Sequence, residues 1–363
     1  METGRKYNCA ETIKPDLFTK HNISCETARM MADRANMALA NNTKSNYRTV
    51  KNNISHCEDV MKCDLSFPWD TGKTLQFLAY LLFTRKVLAK TANCQLSGVR
   101  MAHIEEGLDC PCLRPPVVAL LLRGTEHWES VTVAMRNKAI KTPVTIEMML
   151  AIKRLLFEID FSLHTKYLFW AVCCLLWNGS LRVHEALSKS ANTFDPQITL
   201  LGGDLKIIEI KANKKVRHII ELKLKSPKED RIGSGVILEI FANNTFLCPV
   251  KALKHYFSIF GSKRKMKEDM PIFITENKQC YSGKSFNEHL SKITADITAH
   301  TGKKVMSHSF RAGVPSELAR LGAASEEEIR GVGRWSSDAW QHYCKLGKTR
   351  RMNMVDKLCD GLS

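Results

Sequence analysis

The chain has 363 residues, of which 44% are hydrophobic and 25% charged, and it carries 54 Lys and Arg against 37 Asp and Glu for a formal net charge of +17. That length exceeds the roughly 250 to 300 residues at which a single core stops growing, so two domains are expected, and the composition excludes a disordered or low-complexity chain. A basic excess of this size favours a polyanionic partner, although a solvated basic surface carries the same charge and composition alone does not separate the two.

The first forty residues are polar with weak periodicity and read as an N-terminal arm or one loose helix, residues 1–40. They show no cationic start followed by an apolar run, so no secretory signal is expected. From Thr43 the pattern turns helical: Tyr47, Val50, Ile54 and Cys57 recur at spacings of three and four, predicting a helix to about Cys63. Asp70 and Thr71 can cap a second helix with Leu75, Leu78, Leu82 and Phe83 on its apolar face. Thr91 to Glu106 forms a third, stopped at Gly107, and Pro115 and Pro116 open a short fourth through Arg123. Residues 41–132 thus read as an all-helical domain. Within it Gly72-Lys73-Thr74 looks like the end of a phosphate-binding loop, but Phe67 and Pro68 stand where its first glycine is required, so nucleotide hydrolysis has no support.

Residues 133–142, with Arg136, Lys138 and Lys141, lack periodicity and read as a basic linker into a second domain, residues 143–363. Thr145 can cap a helix to about Ile159, and His164 to Asn178 forms a strongly apolar helix. Its Tyr167–Trp177 run is too short for the ~20 residues of a membrane span, so no membrane partner is expected. Gly179 breaks the chain just before Arg182. Strand-like runs follow at Lys206–Ile210, Ile219–Leu224 and Val236–Ile240, separated by Gly, Asn, Pro and Lys clusters. Helical patterns return at Pro249–Phe260, Phe286–His300, Ser309–Leu321, Ser325–Val332 and around Tyr343. The expected fold is mainly α with a small β-sheet.

The thirteen cysteines are odd in number and irregularly spaced, and several, such as Cys173 and Cys174, sit in apolar runs. They read as small buried hydrophobes in a reducing, intracellular compartment. Cys110-Pro111-Cys112 lacks a second ligand pair at zinc spacing, so no metal and no cofactor are expected.

His308-Ser309-Phe310-Arg311, then Gly333-Arg334-Trp335-Ser336-Ser337 and Tyr343, bring an imidazole, a guanidinium, an indole and a phenol into one short stretch. On a helix the three-residue spacing puts His308 and Arg311 on one face, and an arginine pair with Arg182 suits the non-bridging oxygens of a phosphodiester. Blander readings compete at each position: an ion pair of Arg182 with Glu185, a capping or core role for His308, a core role for Trp335.

Taken together, the boxes resemble a known family. Gly179-Ser180-Leu181-Arg182-Val183-His184-Glu185-Ala186-Leu187 is similar to the Gly-x-x-Arg-x-x-Glu-Leu box of tyrosine recombinases, HSFRAG (His308–Gly313) to their His-x-x-Arg box, and GRWSSDAWQHY to their terminal box with the nucleophilic tyrosine. The ending is most similar to the recombinases of eukaryotic Crypton and DIRS/Ngaro mobile elements. The resemblance spans about Thr43 to Lys345, and its specific part is the boxes from Ser307 to Tyr343.

The resemblance implies an N-terminal helical, SAM-like core-binding domain and an α+β catalytic domain closing on DNA as a C-shaped clamp. It implies a metal- and ATP-independent strand transferase: Tyr343 as nucleophile, forming a 3′-phosphotyrosyl intermediate, Arg182 and Arg311 on the phosphate, His308 assisting proton transfer, and Trp335 in place of a second histidine. A strand-turn lysine acts as general acid, matched best by Lys228, with Lys225 as the fallback. Tyr256 and Tyr281 lie outside these boxes. Arg48, Lys51, Arg85, Lys86, Lys90 and Arg100 are candidate phosphate contacts, each equally readable as a solvated helix face. Double-stranded DNA is the implied partner, with a homodimer on one site and a homotetramer in the synaptic complex, and a tail from residue 346 docking on a neighbour. Lys263-Arg264-Lys265 with Lys267 fits nuclear import or DNA contact, and equally a solvated loop. Two other functions fit less well: a monomeric type IB topoisomerase, and a mobile-element-derived DNA-binding regulator that no longer cuts.

Overall fold

The computed structural model describes residues 13–38, 41–109, 113–134, 142–212, 215–225, 235–243, 245–259, 267–302, 304–335 and 341. Two compact units divide the chain, residues 1–138 and 139–363.

The described part of the first unit is helical. It begins with α1 (Asp16–Thr19) and α2 (Cys25–Met37). The Ser24 hydroxyl caps α2 by accepting from the Thr27 N–H at 3.3 Å. The stretch expected to be an arm or a loose helix therefore holds a capped helix of thirteen residues. Its buried residues are Ala28 and Ala32, whose small side chains leave little hydrophobic periodicity to read. α3 (Asn41–Met61) and α4 (Thr71–Ala79) follow. Asp70 caps α4, its Oδ1 accepting from the Lys73 N–H at 2.8 Å, so a carboxylate already occupies the helix end at Gly72-Lys73-Thr74.

Beyond Ala79 the chain continues as a π turn, Tyr80–Thr84, closed by the Arg85 N–H on the Tyr80 carbonyl at 2.9 Å. The wider turn shifts the register, so Tyr80, Leu81 and Leu82 go inside, whereas Phe83, expected on the apolar face, is 65% exposed. α5 (Ala89–Glu105) gives way to Gly107 at φ +69°. α6 (Pro116–Ala134) runs well past Arg123. An interior Gly124 costs only about 1 kcal/mol relative to alanine, and Glu129 on a later turn anchors the helix by accepting from the Ala89 N–H at 2.8 Å. Ile54, Leu65, Trp69, Phe77, Leu81 and Leu96 lie in the core of this unit.

The second unit comprises α7 (Ile146–Glu158), α8 (Leu163–Asn178), α9 (Val183–Ala186), strands β1 (Leu205–Ala212), β2 (Lys215–Leu224) and β3 (Val236–Phe241), then α10 (Pro249–Ile259), α11 (Gly283–Ile293), α12 (Ala295–Thr301), α13 (Ser307–Arg311), α14 (Gly313–Leu321) and α15 (Glu326–Gly333). Thr145 and Ser162 cap α7 and α8 through their hydroxyls. Every residue of α8 from Leu168 to Trp177 is buried, so the helix has no solvent face there and forms the axis against which α7, α10, α13 and α14 pack. The sheet is antiparallel in the order β1-β2-β3, with Ile207 opposite Ile220 and Leu222 opposite Leu238. Ile220, Leu222, Leu224 and Ile240 belong to the core, where α10 packs against β2 and β3.

Two expected helices are each divided. Phe286–His300 breaks at Thr294, whose hydroxyl bonds back to the Leu290 carbonyl at 2.7 Å. Ser309–Leu321 breaks at Ala312, because Pro315 has no N–H to continue the ladder and is tolerated only in the first turn of a new helix. Among the described residues no helix is long and apolar enough to cross a membrane, and no three His, Cys, Asp or Glu side chains are grouped to hold a metal ion.

Candidate active site

Three segments far apart in sequence meet where α8 ends. Gly179 follows α8 closely packed, with a hypothetical Cβ only 2.8 Å from Ile240 Cδ1, and Ser180 turns the chain at φ +46°. Leu181 N–H closes the helix end on the Leu176 carbonyl at 3.0 Å. This delivers Arg182 to the start of α9, one turn before Glu185.

Glu185 is the hub. Its Oε2 accepts from the backbone N–H of Arg182 at 2.8 Å and from Arg334 Nη2 at 2.7 Å, while Oε1 accepts from Arg182 Nη1 at 3.0 Å. Arg311 Nη1 stands 3.9 Å from Oε2. The ion pair weighed for Arg182 is therefore present, and it orients the arginine without hiding it, since the side chain keeps 25% exposure. Arg311 is different: its side chain is 2% exposed and donates to the carbonyls of Ser180 at 2.9 Å, Gly333 at 2.9 Å and Arg334 at 3.3 Å. It straps the three segments together.

α13 supplies His308, exposed, one turn from the buried Arg311. The placement of α13 follows from two hydrogen bonds: Val144 N–H donates to the Ser309 carbonyl at 3.0 Å, and Trp177 Nε1 donates to the Val144 carbonyl at 2.8 Å. A Cβ at Gly313 would lie 2.3 Å from Trp177 Nε1 and 2.7 Å from Val144 O, the two atoms of that second bond. Gly313→Ala is thus expected to destabilise the unit by about 1–3 kcal/mol. The check is a lower urea midpoint at unchanged slope, and a midpoint equal to wild type would show that the neighbours yield freely.

α15, capped by Ser325, ends on Arg334, which sits in the left-handed region at φ +50°. Trp335 is half-buried, its backbone N–H donating to the Arg330 carbonyl at 3.1 Å and its ring packed beside Ala319 and Ile329. Arg334 and the hub role of Glu185 were not among the expected site assignments. Arg334 Nη2 also donates to the Ser180 carbonyl at 3.2 Å. Among the described residues, the buried Nε of Arg334 and Oγ of Ser180 have no hydrogen-bond partner. His184, beside Glu185, is held below the usual histidine range by burial and then by Lys189, so it adds no charge to the cluster near neutral pH.

Lys228 and Tyr343 lie outside the described residues, as do Lys263-Arg264-Lys265, Cys110-Pro111-Cys112 and the tail from 346. Lys225, the fallback lysine, is committed elsewhere: its ammonium lies 2.6 Å from Asp204 Oδ2 and donates to the Pro196 carbonyl at 2.9 Å. Tyr256 and Tyr281 are core residues. The Tyr256 hydroxyl accepts from the Ile274 N–H at 3.0 Å, the Tyr281 hydroxyl lies 2.9 Å from His289 Nδ1, and burial pushes the Tyr281 phenol well above its ordinary range.

In the first unit Arg48, Arg85, Lys86, Lys90 and Arg100 are exposed. Arg85 is also steered, its Nη1 donating at 3.3 Å to the Tyr80 hydroxyl, which lies 2.7 Å from His56 Nδ1. Lys51 is not a free phosphate ligand, because Glu105 on α5 takes its ammonium in an ion pair.

No family model and no curated protein sequence matches the chain. Solved structures do. XerH site-specific recombinase in a pre-cleavage complex with difH substrate superposes at a TM-score of 0.56 and 13% identity, over 94% of this chain and 86% of that one. Its post-cleavage complex gives 0.55 at 12% identity over the same shares. Tn1549 transposon integrase in complex with transposon right-end DNA gives 0.53 at 12% identity, over 96% of this chain and 99% of that one. The mostly helical architecture with its small antiparallel sheet is the tyrosine recombinase fold.

Proposed function

We propose that this protein is a site-specific DNA recombinase or integrase that cuts and rejoins strands through a 3′-phosphotyrosyl intermediate on Tyr343. The observation that carries the reading is the convergence at Glu185 of three guanidinium groups, those of Arg182, Arg311 and Arg334, drawn from three segments far apart in the chain. Planar guanidinium groups gathered at one point offer several aligned N–H donors and positive charge, the chemistry that recognises an oxyanion. A phosphodiester suits it, because its single negative charge grows in a pentacoordinate transition state. Arg182 has the exposure to offer donors to a non-bridging oxygen.

In this mechanism Tyr343 passes its phenolic proton to His308 as its oxygen bonds to phosphorus, and the phosphorus–5′-oxygen bond breaks with Lys228 giving that oxygen a proton. The engagement of Lys225 by Asp204 favours Lys228 for that role. His308 assists the proton transfers, and the Trp335 indole N–H supports the phosphate. Rejoining runs the steps in reverse from a 5′-hydroxyl, so the bond energy is kept in the phosphotyrosine and neither ATP nor a metal is called for. Exposed Arg48, Arg85, Lys86, Lys90 and Arg100 contact phosphates on the duplex. A dimer on each site, a tetramer in the synapse, a Crypton or DIRS/Ngaro origin and a nuclear location belong to the same proposal.

The test is a nicked suicide duplex pool incubated with the full chain. A denaturation-resistant adduct is expected in the presence of EDTA and is expected to vanish in Tyr343→Phe; an adduct that persists in that variant refutes the assignment. Relaxation of any supercoiled plasmid by a monomer would point instead to a topoisomerase, and tight binding without an adduct to a non-cutting regulator.

A further inference from the structure

We infer that Arg334 is a positioning residue for Arg182, acting through Glu185. The consequence for strand cleavage rests on the recombinase reading; the geometry does not. Arg334 Nη2 holds Glu185 Oε2 at 2.7 Å, the same oxygen that takes the Arg182 N–H at 2.8 Å, which leaves Oε1 to Arg182 Nη1 at 3.0 Å. Fixing one carboxylate oxygen from two directions fixes the carboxylate plane, and with it the point at which the other oxygen meets the Arg182 fork. Arg334 also donates to the Ser180 carbonyl at 3.2 Å, beside the Arg311 bond to the same oxygen at 2.9 Å. That second grip holds the turn from which Arg182 is aimed.

The backbone at Arg334 argues in the same direction. At φ +50° the position favours glycine, and a large side chain is accommodated there only against that preference. The side chain is 17% exposed, so its contacts are shielded from competing water. What the site uses at this position is therefore the guanidinium rather than the turn.

Arg334→Gly removes the guanidinium and suits the backbone, and Arg334→Lys keeps the charge but cannot reach both Glu185 and Ser180 as a fork. Both are tested in the full chain. The first readout needs no DNA: phenylglyoxal modification of Arg182, followed by mass spectrometry, is expected to quicken by about fivefold in Arg334→Gly and by less in Arg334→Lys, as a released guanidinium samples more solvent. An unchanged rate in both variants overturns the inference. The second is adduct formation on the suicide duplex, expected to fall about tenfold or more in Arg334→Gly, with duplex affinity kept within about twofold. Equal losses of affinity and rate with unaltered Arg182 reactivity would make Arg334 a direct phosphate ligand and also overturn it. If wild type forms no adduct while Arg182 reactivity still responds, the recombinase reading fails and the positioning role stands.

Discussion

Replacing Glu185 with alanine should destabilise the second unit by about 3–5 kcal/mol, the range for removing one partner of a buried ion pair. Exposed ion pairs are worth at most about 1 kcal/mol, but that figure does not apply here. The Glu185 side chain is 8% exposed and faces Arg182, Arg311 and Arg334, so its loss removes from three guanidinium groups at once a carboxylate that is shielded from water. The Arg182 N–H loses its acceptor as well. At about 2–4 °C per kcal/mol for a unit of this size, the melting temperature should fall by roughly 6–20 °C. Glu185→Gln keeps an acceptor without the charge and should fall between alanine and wild type. Melting of Glu185→Ala within about 2 °C of wild type would mean that the cluster is solvated or compensated, and the charge argument would fail.

Arg182→Ala should do the reverse, leaving the fold standing while stopping the reaction. Glu185 then keeps its 2.7 Å bond to Arg334 and its approach to Arg311, so the carboxylate is not left without a counter-charge. Arg182 is also the arginine of the cluster with the most exposed side chain. Loss of a preorganised donor to developing oxyanion charge costs about 10²–10³ in rate, and more for a charged fork. Adduct formation on the suicide duplex should therefore drop about 10³-fold in Arg182→Ala, with thermal stability and duplex affinity near wild type. Arg182→Lys should recover only part of the loss, since a point charge does not reproduce bidentate geometry. Cleavage within tenfold of wild type in Arg182→Ala would remove this residue from the phosphate site. A parallel loss of stability would make it a structural member of the cluster, as Arg311 is.

Much of this architecture is local and was legible in the residues. Asp70 and Thr145, the expected caps, sit at helix starts because each side-chain oxygen reaches an N–H three residues on, an interaction that needs no tertiary context. The three strands and the apolar helix α8 follow from period and composition in the same way. The boxes around Arg182, His308 and Arg311 were likewise visible as short patterns. Other features turn on partners that no local window contains. Phe83 points outward because a π turn shifts the register of its helix, and α6 runs past Arg123 with Glu129 seated on the start of α5. Lys51 is spent on Glu105 and Lys225 on Asp204, though each read as an available cation. The charge cluster is the clearest case. Arg311 meets Ser180 across 131 residues and Arg334 meets Glu185 across 149, so which arginine faces outward, which one straps the site and which one aims its neighbour were decided by packing. The residues themselves set which groups were present and which helices would carry them; the tertiary structure alone set how one buried carboxylate is divided among three cations, because electrostatic partnership depends on distance in space and on exclusion of water.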